Sequence, residues 1–126
     1  MKTVALVAAL LLVGAAGAQE AIKLAPDAHA PIHHRAGLYA QLRQWDKGAA
    51  NYSKLLEKYP NDFNAWYWRG VAHANLKQPE KAIADLRRAI DRGFRDVEHM
   101  RKDPVLEPLR SRNDFKKLLA ELEAKK

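Results

Sequence analysis

Displaced by 34 residues, the sequence falls back into register with itself. Arg35, Ala40, Leu42, Gln44, Lys47 and Ala50 land on an identical Arg69, Ala74, Leu76, Gln78, Lys81 and Ala84. Between these, Arg43 meets Lys77, Asp46 meets Glu80, Asn51 meets Asp85, Leu56 meets Ile90, Glu57 meets Asp91 and Lys58 meets Arg92, so chemical type is kept where identity is lost. An internal period of this length constrains the fold more than any composition does. Each unit is one supersecondary element that cannot bury its apolar face alone, so neighbouring units must stack.

Inside each block the apolar spacing is that of two helices joined by a tight turn. Ala82, Ile83, Leu86, Ala89 and Ile90 form one helical stripe, with Lys81, Asp85, Arg88 and Arg92 outside it. Pro79 stands where a first helical residue needs no N–H, and Gly93 marks the end. The equivalent helix of the first block is predicted over about 46–59, with Ala49, Tyr52, Leu55, Leu56 and Tyr59 inward. Pro60 stops it, and Asn61 or Asp62 caps a following helix whose inward residues are Trp66, Gly70, His73 and Ala74.

A 34-residue period with this content resembles the tetratricopeptide repeat, whose pattern sets a Trp, Leu-Gly, Tyr, a small residue, an aromatic, Ala and Pro at fixed intervals. The block Phe63 to Asp96 carries Trp66, Gly70, Ala82, Leu86 and Ala89 at those places, and departs from the pattern at Arg69, His73 and Phe94. The block ending at Asp62 carries Ala36, Tyr39, Gly48, Tyr52 and Pro60, with Ile32 in place of the Trp. The resemblance implies an all-α fold, a short right-handed superhelical stack of antiparallel helix pairs, with repeats at 31–62 and 63–96. Residues 97–126 resemble the ending that follows a last repeat. Pro104 and Pro108 forbid another long helix, and Phe115, Leu118, Leu119 and Leu122 share one stripe of a closing helix that covers the exposed end of the stack.

The resemblance also implies a concave groove along the inner helices, lined here by His33, Gly37, Ala40 and Gln41, then Asn64, Tyr67, Val71, Ala74 and Asn75. Tyr67 beside Asn75 pairs an aromatic plate with an amide able to bond a peptide backbone. Replacing both with Ala is expected to weaken partner capture without loss of helicity. Trp66 takes the family's packing position and is expected in the core. The competing expectation is that the chain's own N-terminal segment partly fills the groove. One subset of the family holds C-terminal carboxylates with Lys and Asn, but His33, Gly37, Tyr67 and Val71 stand at those places here, which argues against that function.

At its start the chain carries Lys2, an apolar run from Val4 to Val13, and Ala16-Gly17-Ala18, the grammar of a secretory signal cut after Ala18. The apolar stretch is shorter than the roughly 20 residues of a spanning helix. A periplasmic or secreted mature protein is expected, with 19–30 as an extended lead-in and no membrane span. It has no Cys, so no disulfide framework, and stability must come from the apolar core.

Residues for catalysis are sparse. The chain has no Gly-rich phosphate loop and no Cys nucleophile, and Ser53 and Ser111 lie in no nucleophile context. His29 and His33 are four apart, but Pro31 between them disfavours a shared helical face, and no Cys or carboxylate cluster accompanies them. The expectation is a non-enzyme without metal or cofactor, binding another protein or peptide rather than nucleic acid, with the open ends of the stack a route to self-association. An alternative rests on the formal charge of +7. Arg87, Arg88, Arg92, Arg95, Arg101 and Lys102 would then attract an anionic envelope polymer or lipid headgroups. The acidic residues interleaved with them favour a solvated, salt-bridged surface instead.

Overall fold

The computed structural model describes residues 29–125. The expected signal sequence and nearly all of the lead-in lie outside these residues. Among the described residues every regular element is helical. Helices α1 (His29–Gln41) and α2 (Trp45–Lys58) form the first pair, α3 (Phe63–Asn75) and α4 (Pro79–Asp91) the second. The tail follows as α5 (Val97–Lys102), a 3-10 helix (Pro104–Leu109) and α6 (Asn113–Ala124).

Helix boundaries follow the residues that set them. Pro79 opens α4, and the Asp62 carboxylate caps α3 by accepting from the Asn64 and Ala65 N–H groups at 3.1 and 3.2 Å. The turn inside each pair places a non-glycine residue in the left-handed region, Arg43 at φ 55° and Lys77 at φ 60°. These positions are one period apart, so the repeat extends to backbone geometry. Helix α1 begins at His29 and runs through Pro31, where the sequence argued against continuity. A proline in the first turn removes only an N–H that has no helical acceptor, so the helix tolerates it.

The core divides in two. Ala36, Tyr52, Leu55, Leu56 and Ala65 form a small cluster between the first pair and the start of α3. The larger cluster joins Tyr67, Val71, Leu86 and Ile90 of the second pair, through Phe94 of the connection that follows, to Val97, Met100, Leu106, Leu109, Phe115, Leu118 and Leu122 of the tail. Every one of the last six is fully buried. The tail is therefore an integral part of the core, as expected for an element covering the end of a stack. Trp66 and Trp68 border both clusters and tie them together.

Asp85, expected outside the α4 stripe, is 5% exposed because it pairs with Arg69 of α3, and two inward assignments do not hold. Tyr59 is 41% exposed, because α2 ends at Lys58 and the chain turns away. Trp66 is only half-buried while its neighbour Tyr67 is 1% exposed, the reverse of the expected division. The Trp66 indole N–H donates to the Pro60 carbonyl at 2.8 Å, and the Arg69 and Arg88 guanidinium groups lie 4.9 and 5.8 Å from its ring centre. Trp66 thus closes the seam between the pairs from its wet edge.

Candidate functional site

Helix α3 positions the site, and its inner face has two fates along its length. Toward its C-terminal end the expected groove is filled. The Tyr67 hydroxyl donates to the buried Asp103 carboxylate at 2.6 Å, and the Asn75 amide donates to the Val71 and Val105 carbonyls at 2.8 and 2.9 Å. Val71 is 1% exposed. The segment entering the 3-10 helix therefore occupies the place a peptide ligand was expected to take, and Asn75 holds its backbone much as anticipated for a ligand. The occupant comes from the C-terminal tail; the N-terminal segment expected there lies outside the described residues. The Tyr67 hydroxyl, Val71 and the Asn75 amide are thereby engaged within the chain, and the Tyr67→Ala, Asn75→Ala pair would open the core rather than report on binding.

Toward the N-terminal end of α3 the face stays open. Phe63, Asn64, Tyr67 and Trp68, with Gly93, Phe94, Arg95, Asp96 and His99 from the α4–α5 connection and α5, enclose a cleft of about 460 Å³. Its wall is a connected series of rings. Tyr67 stacks on Phe94 at 4.8 Å between centroids, Phe63 meets Phe94 edge-on at 6.2 Å, and Trp68 meets Tyr67 edge-on at 5.2 Å. The His99 ring lies 5.5 Å from Tyr67. Burial, then the hydrogen bond to Asp103 and the nearby Asp103 and Asp96 charges, pushes the Tyr67 hydroxyl well above the usual tyrosine range. That ring is a neutral, fixed floor.

The charges at the cleft are already engaged. One arm of Arg95 donates to the Ile90 and Phe94 carbonyls, both at 2.8 Å, and Asp96 caps α5 by accepting from the His99 N–H at 3.0 Å. The His99 ring lies 3.3 Å from the Asp103 carboxylate. Two polar groups at the cleft are not engaged: neither the Asn64 side-chain amide nor the Trp68 indole N–H makes a hydrogen bond among the described residues.

The first pair contributes less. His33 meets the Asp62 carboxylate at 2.9 Å and Tyr52 edge-on at 5.6 Å, so it fastens α1 to the cap of α3. Gly37 faces open space and Gln41 is exposed. The residues of the electrostatic alternative are spread over internal partners. Arg87 pairs with Glu121, Arg101 with Glu98 and Glu123, and Lys102 with Glu98, while Arg92 donates to the Pro60 carbonyl and Arg88 lies over Trp66. No three His, Asp or Glu side chains gather as metal ligands among the described residues. No described helix is long and apolar enough to cross a membrane.

Phe63, Trp68, Phe94 and His99 were not singled out as a binding surface from sequence. The signal was present in part: Phe63 with Tyr67, and Asn64 with Trp68, are four apart and lie along one side of α3. The contribution of Phe94 depended on knowing that the connection folds back.

The family model of the tetratricopeptide repeat matches residues 35–95, the two helix pairs less the first turns of α1. No curated protein and no solved structure matches the chain. Through these residues, with their period, paired helices and covered end, the chain belongs to the tetratricopeptide-repeat family.

Proposed function

We propose that the protein is an exported, non-catalytic scaffold that holds a protein or peptide partner in the aromatic cleft at the N-terminal end of α3. Membership of a family of interaction modules supports the binding class. The observation that carries the choice of surface is the pairing of an open ring-lined wall with two unengaged polar groups, Asn64 and Trp68, beside a groove otherwise filled by the tail. Concave, largely apolar pockets with a few placed polar groups are where ligands bind. Export to the periplasm or beyond rests on the signal-like first 18 residues.

The test is capture of partners from an envelope extract at low and high salt, with the wild type and an Asn64→Ala, Trp68→Phe variant. This reading expects capture that survives high salt and is lost in the variant. Capture that disappears with salt and ignores the variant would transfer the function to the basic surface.

A further inference from the structure

We infer that the cleft takes a proline-rich segment in the extended polyproline conformation. This inference rests on the peptide-binding reading of the same cleft and specifies the chemistry of the peptide. The cleft is walled by helices and a turn and has no strand edge. The Asn64 and Ala65 N–H groups at the start of α3 and the His99 N–H at the start of α5 are taken by the capping carboxylates of Asp62 and Asp96, so an extended ligand has no ladder to build. At about 460 Å³ the cleft has room for a few residues rather than for a docked helix of several turns. A ligand that fits must bring its own conformation.

Polyproline supplies it without internal hydrogen bonds, with rings that pack on aromatic walls and carbonyls that project as acceptors. The complement here is Phe63 and Trp68 as half-buried walls, with the Trp68 indole N–H and the Asn64 amide as unengaged donors for those carbonyls. Charge points the same way. Arg95 and Asp96 oppose each other in sign at the rim and each is tied to backbone, so the cleft offers no net charge to select an ion. A neutral ligand rich in acceptors and poor in donors is the match, and a proline-rich backbone is such a ligand.

The experiment titrates the protein, labelled with 15N, with a blocked decaproline peptide, a blocked Gly-Ser peptide of equal length, and tetramethylammonium as a cation probe. Decaproline is expected to shift the Trp68 indole N–H resonance while leaving that of Trp66, bonded to Pro60, in place. It should bind about tenfold more tightly than the Gly-Ser peptide, and Trp68→Phe, which keeps an aromatic face but removes the N–H donor and part of the wall, should weaken it about fivefold. Asn64→Ala, at an exposed position, gives a second reading free of folding effects. Equal binding of the Gly-Ser peptide, a response to tetramethylammonium alone, or affinity unchanged in both variants would overturn the inference. If decaproline fails while the double variant still loses its captured partner, the peptide scaffold stands and the polyproline specificity falls.

Discussion

Arg69 lays its guanidinium on the Asp85 carboxylate through two bonds, Nε to Oδ2 at 2.9 Å and Nη2 to Oδ1 at 2.8 Å. One period earlier Arg35 donates to Asn51 at 2.6 Å, so the contact itself is repeated. Asp85 is only 5% exposed, and Arg69 also donates to Ser53 of α2 at 3.1 Å, which makes this pair the polar clasp between the repeats.

The clasp explains why a polar residue sits where the family pattern sets Leu. Arg69→Leu restores that pattern, yet among the described residues it leaves the buried Asp85 carboxylate with only the His73 ring, 3.4 Å away, as a side-chain partner, and we expect it to cost about 2–4 kcal/mol in urea denaturation followed by circular dichroism. Asp85→Asn recreates the arrangement of the first repeat and should cost about 1 kcal/mol. Adding Asp85→Asn to Arg69→Leu should recover much of the loss. Equal costs for the two single changes would mean that the charge pairing does not matter.

Two glycines predict opposite responses to one substitution. A Cβ on Gly70 would stand 3.1 Å from Leu86 Cγ and 3.2 Å from the Ala82 carbonyl oxygen, a crowding that the α3–α4 contact cannot relieve without moving backbone. Gly70→Ala is expected to destabilise by about 1–2 kcal/mol despite better helix propensity. At Gly48 the nearest atoms are 3.7 and 3.8 Å away, so Gly48→Ala should stabilise by about 0.5–1 kcal/mol. Thermal melts of the two variants check the sign in each case.

The buried tyrosines give a pH dependence. Burial raises the hydroxyl pKa of Tyr52, with Asp62 adding to it, and burial with Asp103 raises that of Tyr67. Folded, both stay protonated where an unfolded tyrosine, with a pKa of about 10, begins to ionise. Their stabilising contribution is therefore complete below pH 10 and declines above it, by about 1.4 kcal/mol per pH unit for each tyrosine. Tyr67→Phe removes the bond to Asp103 and should cost about 1–3 kcal/mol at pH 8. Because the variant lacks one titrating group, the wild type's advantage should narrow between pH 10 and 11. An advantage that stays constant over that interval would contradict the account.

The helices were legible in sequence because period, stripe and stop signals agreed: Pro79, Asp62 and the Ala82 to Ile90 stripe sit where they were read. The tail was legible as a cap from Pro104, Pro108 and the Phe115 to Leu122 stripe. What it covers was not legible. Periodicity says which face of a helix is apolar, but the inner face of α3 carries both a buried patch and a cleft, and the boundary between them is set by Asp103 and Val105 arriving from more than two dozen residues away. The same long-range contact inverted the roles of Trp66 and Tyr67. Neighbouring aromatics differ little in local pattern, so only the fold decides which one the tail buries.

The central claim is that the open end of the α3 inner face, rather than the outer or tail surface, meets the partner. A photo-crosslinking residue placed singly at Asn64, at Lys81 on the outer side of α4, or at Arg101 in the tail tests this directly, since all three positions are exposed. The account predicts a crosslinked partner from position 64 and none from 81 or 101. Crosslinks from 81 or 101 with none from 64 would contradict it.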